Sequence, residues 1–150
     1  MRLIAVSIAS LLSLFLVACS APQHRQAAVT DSDLNGTWTI RKAELAGKNF
    51  SFPGFELQIQ GTQYRAGGAG ALNDQGKLVF FGDELQGENK RLDVVGESGP
   101  NAGKRYPAIY RLLSNGRELE ICYNMLQTDR PNEFVSREGT MLLRITYARK

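Results

Sequence analysis

The sequence predicts an all-β domain, closed as an antiparallel up-and-down barrel of about eight strands, and three observations carry that reading. Apolar and polar residues alternate with period two in short segments, most clearly at Phe55, Leu57 and Ile59 and at Met141, Leu143, Ile145 and Tyr147. That is the spacing of a strand buried on one face. Turn residues punctuate the segments: Ser114-Asn115-Gly116 contains Asn-Gly, the strongest short hairpin signal, and Asn73-Asp74-Gln75-Gly76 reads as a second turn. No segment sustains a 3.6-residue apolar period. Eight sequential strands on short turns favour a barrel because closure leaves no open sheet edge; a two-sheet β-sandwich is the alternative.

The chain begins with a different kind of segment. Met1-Arg2 is a short positive end, and residues 3–17 are an apolar run interrupted only by Ser7, Ser10 and Ser13. A run of about fifteen residues is short for a membrane span and matches the core of a secretory signal. It ends in Leu16-Val17-Ala18-Cys19-Ser20, which resembles the bacterial lipobox. That resemblance implies cleavage after residue 18 and lipid attachment at Cys19, with acyl chains such as palmitate giving the membrane affinity. Ser20 stands where an inner-membrane retention signal would place Asp, which favours the outer membrane with the domain facing the periplasm. Residues 19–33 are then a lipidated, polar tether with a reach of about 20 Å, and residues 34–150 form the domain. Lipidation consumes one of the two cysteines, so Cys122 has no intrachain partner and the core must hold the fold.

Within the domain the strand candidates are a first strand from Trp38 and Ile40, then 55–60, 63–66, 77–81, 91–96, 106–113, 117–123 and 141–147. Leu45, Phe50 and Phe52 fall in an irregular connection closed by Pro53-Gly54. The inward set is bulky, with Trp38, Leu57, Ile121 and Ile145 among it, which points to a mostly filled interior with a modest mouth. A barrel of this strand number is just wide enough to be filled by side chains or to hold one small ligand. Gly67-Gly68-Ala69-Gly70 suits a sharp bend or a loop close to the opening.

Leu34-Asn35-Gly36-Thr37-Trp38 resembles the Gly-x-Trp first strand of lipocalin-type barrels. Other segments resemble a lipocalin-like family of exported bacterial proteins: Arg91-Leu92-Asp93-Val94, Gly99-Pro100-Asn101-Ala102-Gly103-Lys104, Ala108-Ile109-Tyr110, Leu119-Glu120-Ile121-Cys122 and Arg130-Pro131-Asn132-Glu133-Phe134. Ala108 departs from that pattern, where the family usually has Gly, and Asn115-Gly116 replaces an acidic turn residue. The resemblance implies a lipocalin-like barrel and no particular activity. It also implies that a basic residue of the last strand covers the first-strand indole. Arg149 is the candidate, since it continues the face of Leu143, Ile145 and Tyr147.

Catalytic and metal chemistry find little to use. The single histidine, His24, lies in the tether, so no catalytic or metal-ligating histidine is expected in the domain. Cys122 reads as a buried structural thiol. Residues 99–104 fall one short of a phosphate loop, with Arg105 in place of the Ser/Thr that would meet Mg²⁺. Asp31, Asp33, Asn35 and Gly36 match half a calcium loop, but the twelfth position is Lys42 and the segment enters a strand. Lys and Arg number 18 against 15 Asp and Glu and are scattered, which gives no nucleic-acid footprint.

The expectation is therefore a non-enzymatic binding module without cofactor or metal, taking a small apolar or amphipathic ligand. Its candidate contacts are Trp38, Tyr110, Tyr123, Arg130 and Phe134. The last two sit in residues 125–139, a loop longer than a hairpin needs. There Arg130 offers a charged fork for a carboxylate or phosphate and Phe134 an apolar cap. The competing structural reading pairs Arg130 with a carboxylate and uses Phe134 as a plug. The alternative function is an envelope lipoprotein that binds a protein, such as an inhibitor or immunity factor.

Overall fold

The computed structural model describes residues 30–150 except 69, 70, 72 and 83–88. The apolar N-terminal run, Cys19 and the tether through residue 29, with His24, lie outside the described residues. Among the described residues, one 3-10 turn at Ser32–Leu34 is followed by nine strands: β1 Gly36–Leu45, β2 Lys48–Phe50, β3 Glu56–Gln60, β4 Gln63–Gly67, β5 Asp74–Phe81, β6 Lys90–Ser98, β7 Arg105–Leu113, β8 Glu118–Asn124 and β9 Leu142–Arg149. Strands β1 and β3 to β9 pair antiparallel in chain order, and β9 pairs back onto β1. The result is a closed eight-stranded up-and-down barrel, lipocalin-like in plan, and not a sandwich.

Alternation puts one set of side chains inside. In β5 buried and exposed positions alternate from Asp74 to Phe80. In β1 the alternation breaks: the register with β9 shifts between Ile40 and Lys42. The extra residue, Arg41, points outward to Glu118 at 2.7 Å, and the bulge lets Ala43 face inward as Trp38 does.

Two local readings of the sequence are corrected. The irregular stretch after Leu45 contains the ninth strand: β2 folds back on β1 through a two-residue turn, with Leu45 opposite Lys48. Ala46 and Gly47 both take positive φ there, so the turn lacks the Asn or Asp that would have marked it. It is held from outside by Ser136, whose hydroxyl accepts from Gly47 N at 3.0 Å. Asn73-Asp74-Gln75-Gly76 is not a turn but leads into β5, because the Asp74 carboxylate is used inside the barrel and Gly76 packs flat against β6. A Cβ on Gly76 would stand 2.0 Å from the Val95 carbonyl. The β7–β8 hairpin stands where the sequence places it: Ser114, Asn115 and Gly116 all take positive φ, and two overlapping turns close it, with Gly116 N–H donating to Leu113 O at 3.1 Å and Arg117 N–H to Ser114 O at 3.3 Å.

One end of the barrel is closed by the segment preceding β1. Leu34 and Trp38 are fully buried, and the Trp38 indole Nε1 donates to Leu34 O at 2.9 Å. Opposite Trp38 in register stands Arg149, with its guanidinium 4.2 Å from the centre of the indole. The same guanidinium donates to the carbonyls of Gly116, Asn35 and Asp33 at 3.0, 2.6 and 2.6 Å. Gly36 makes room for it: a Cβ there would lie 2.9 Å from Arg149 Nη1. Beside this, Asp31 Oδ2 accepts from Lys90 Nζ at 2.7 Å and from the Tyr110 hydroxyl at 3.0 Å.

Burial opposes ionisation of Asp31, but the bonds from Lys90 and Tyr110 outweigh it and hold the carboxyl below its ordinary value. A depressed carboxyl stabilises the fold fully above the unfolded pKa of about 3.9 and loses that contribution as pH falls through the folded value. In acid titrations of stability, Asp31→Asn is expected to flatten this limb. An unchanged acid profile would mean that the cluster does not couple to folding.

The long loop at residues 125–139 lies against the outer wall of the barrel, where it acts as a strap. Phe134 packs on Ile109, Cys122 and Leu142, and the Arg111 guanidinium covers its ring at 4.3 Å. Arg130 donates to the carbonyls of Leu92 and Ala108 and to the Asp93 carboxylate at 2.5 Å. Behind the strap Glu120, 1% exposed, accepts from Arg111 and Arg144, each at 2.6 Å.

Candidate functional site

The strand ends distribute the interior into two halves. Where β1 begins and β9 ends, Trp38, Leu34 and Arg149 seal the barrel; where β5, β7 and β9 begin and β8 ends, it is hollow. There a cavity of about 130 Å³ is lined by the side chains of Phe55, Leu57, Ala66, Leu78, Ile121, Leu143 and Ile145, with the rings of Tyr64, Tyr106, Tyr123 and Tyr147. The period-two pattern creates it. Ala66 occupies an inward position on β4, and its small side chain leaves unfilled the space that larger residues take at the sealed end.

The cavity has a polar side built from β4, β5 and the β6–β7 turn. Asp74, 7% exposed, accepts from the Tyr64 hydroxyl at 3.1 Å and from Asn101 Nδ2 at 2.8 Å on Oδ2. Its Oδ1 accepts from the Asn101 backbone N–H at 3.0 Å. The Tyr106 hydroxyl donates to Asn101 Oδ1 at 3.1 Å. Two glycines allow the turn to close over this cluster: a Cβ on Gly96 would lie 1.8 Å from the Asn101 carbonyl, and one on Gly99 would lie 2.0 Å from that of Asn73. Deeper in, the hydroxyls of Tyr123 and Tyr147 stand 3.2 Å apart.

Burial raises the phenols. Tyr147 is pushed up to about 12, its bond to Tyr123 partly offsetting the effect. Tyr123 is raised by burial and then by Tyr147, Tyr64 by burial and then by Asp74, and Tyr110 by burial and then by Asp31. A raised phenol stabilises the fold below the unfolded pKa of about 10 and loses that contribution as pH rises through the folded value. The tyrosinate absorbance band of the folded chain is thus expected to stay mostly undeveloped at about pH 11, a unit above that unfolded value, and to appear with unfolding. Full ionisation near the ordinary phenol value with the fold intact would contradict the burial of these rings.

Of the five residues read from the sequence as ligand contacts, the structure brings only Tyr123 to the cavity. Trp38 belongs to the sealed end, and Tyr110 stands there with Asp31 and Lys90. Arg130 and Phe134 are on the outer wall, because the strap runs across the barrel instead of over its mouth. The residues that shape the cavity and went unread are Tyr64, Ala66, Asp74, Asn101 and Tyr106. The available signal was Gly76 and Gly96, each in a strand interior, where glycine marks close backbone approach.

The two motif-like segments are occupied with structural bonds. Lys104 Nζ donates to Pro100 O at 3.0 Å within its own turn, and Asn35 Oδ1 accepts from Gly61 N at 2.7 Å. Among the described residues no three His, Cys, Asp or Glu side chains converge as a metal site. Cys122 is buried against the strap, its thiol donating to Val135 O at 3.5 Å and pushed up to about 11, mainly by burial. Compared with family models, curated proteins and solved structures, the chain has no match.

Proposed function

We propose that this chain is an outer-membrane lipoprotein, anchored through Cys19 and facing the periplasm, whose barrel binds a small apolar or amphipathic ligand without catalysing a reaction. The observation that carries the binding role is the apolar cavity of about 130 Å³, with one polar side that can orient a guest. It is smaller than a drug-sized pocket and close to the engineered cavity of about 150 Å³ that stays dry and binds benzene. The guest is therefore one ring or a short chain. The anchor rests on the apolar run ending at Cys19. The non-enzymatic reading is supported by a domain without histidine and by the high pKa of the buried Cys122 thiol.

The test is a chemical-shift titration of the full chain with toluene, beside the variant Ala66→Leu. Shifts should localise to Ala66, Ile121, Tyr123 and Leu143, and the variant, which fills the cavity, should lose them with the barrel intact. Shifts scattered over the surface, or unaltered by Ala66→Leu, would overturn the proposal. A partner-binding role has its own support in Phe50 and Phe52, which are 45% and 42% exposed and stack with centroids 6.4 Å apart. If protein binding is the function, Phe50→Ser with Phe52→Ser should abolish capture of an envelope protein and leave toluene binding unchanged.

A further inference from the structure

Building on the ligand-binding reading, we infer that the cavity is selective for a small organic cation, an amine or ammonium group on an apolar body, with Asp74 as its counter-charge. Among the described residues, Asp74 is the sole charged one lining the cavity. Its three donors, Tyr64, Asn101 Nδ2 and the Asn101 N–H, are all neutral. The ion pairs of the described residues do not include it. The contrast with the outer wall is sharp. There, the equally buried carboxylates of Asp93 and Glu120 each hold two arginines.

A carboxylate has roughly four acceptor positions, of which three are filled here, so about one remains. A buried charge without an opposite charge is costly, and a cationic guest supplies what the protein does not. The walls suit the same guest. Tyr64, Tyr106, Tyr123 and Tyr147 line the cavity with Phe55, and aromatic faces attract ammonium groups, as in the cages that recognise quaternary ammonium ligands. An anionic guest of the same shape would meet Asp74 with like charge and, among the described residues, no basic group in the lining.

Three probes of one size separate the possibilities: benzylammonium, toluene and benzoate, each titrated into the full chain by calorimetry at neutral pH. Benzylammonium should bind about tenfold or more tighter than toluene, the scale of one charge-assisted contact, and benzoate should not bind. Asp74→Asn keeps the size of the side chain, and it should bring benzylammonium to within about threefold of toluene, well below that one-contact scale. If toluene binds and benzylammonium binds no tighter, the cation inference is overturned and the apolar cavity stands. If none of the three binds the wild-type chain, the inference and the binding role fall together. The ranking of the probes on the wild-type chain decides the matter even if Asp74→Asn does not fold.

Discussion

Replacing Trp38 with alanine should lower the stability of the barrel by about 4 kcal/mol, in the range of roughly 3–5 kcal/mol found for buried tryptophan and phenylalanine truncations. At about 3–5 °C per kcal/mol for a domain of this size, the thermal midpoint should fall by roughly 12–20 °C. The effect is large because one side chain joins three pieces. The indole is fully buried, its Nε1 holds the 3-10 turn through Leu34 O, and its face carries the guanidinium of Arg149. Removing the cation alone should cost less. Arg149→Ala forfeits about 0.5–2 kcal/mol of cation–π attraction, together with bonds that gather Asp33, Asn35 and Gly116 at the closure. A double-mutant cycle between Trp38→Phe and Arg149→Ala measures their coupling. An unchanged midpoint in Arg149→Ala would remove the closing role assigned to that residue.

Glu120→Ala is expected to have the next largest effect, a loss of about 3 kcal/mol. Breaking a buried ion pair from one side costs roughly 3–5 kcal/mol, since charges remain without partners. The low end applies because Arg111 and Arg144 are 29% and 31% exposed and water can reach them in part. Arg144 also keeps Glu44, at 3.4 Å. The substitution has a second consequence. Arg111 is held by Glu120 over Phe134, so its release loosens the strap, and Cys122 beneath it becomes open to alkylation. Thermal unfolding measures the first effect, and the rate of iodoacetamide labelling in native buffer measures the second. A variant that loses stability with Cys122 still protected would separate the ion cluster from the strap.

These two sites differ in how far the sequence reveals them. The pairing of Trp38 with Arg149 comes from the resemblance, which implies a basic last-strand residue over the first-strand indole, and counting in twos selects the residue: Leu143, Ile145 and Tyr147 share a face, the next position on it is Arg149, and antiparallel closure delivers it to the first strand. The same counting yields β3 and β9, where one buried face imposes a strict pattern. It fails at β2, since Ala46-Gly47 carries none of the residues that mark a tight turn and the hairpin is held by Ser136 from the strap. It fails also at Asp74, whose residue type says turn while its carboxylate is fixed by Asn101 across the mouth.

The cavity was legible only as a possibility. Its polar side joins Tyr64, Asp74, Asn101 and Tyr106, which share no motif, and their meeting depends on Gly76 and Gly96 letting backbones approach. The strap was legible as a long loop, but its route was not. That route is set by Asp93 and Glu120, acidic residues on outward strand positions that would ordinarily face water. Their burial beneath Arg130 and Phe134 is a tertiary effect.

The barrel is sealed at the Trp38 end and hollow at the other, where the apolar cavity has room for a small guest. Diffraction from crystals of the protein held under xenon tests this most directly, since xenon enters dry apolar cavities of this size. A xenon site bounded by Ala66, Ile121, Tyr123 and Leu143 is expected, and none beside Trp38. An interior filled by those side chains, with no xenon between them, would contradict it.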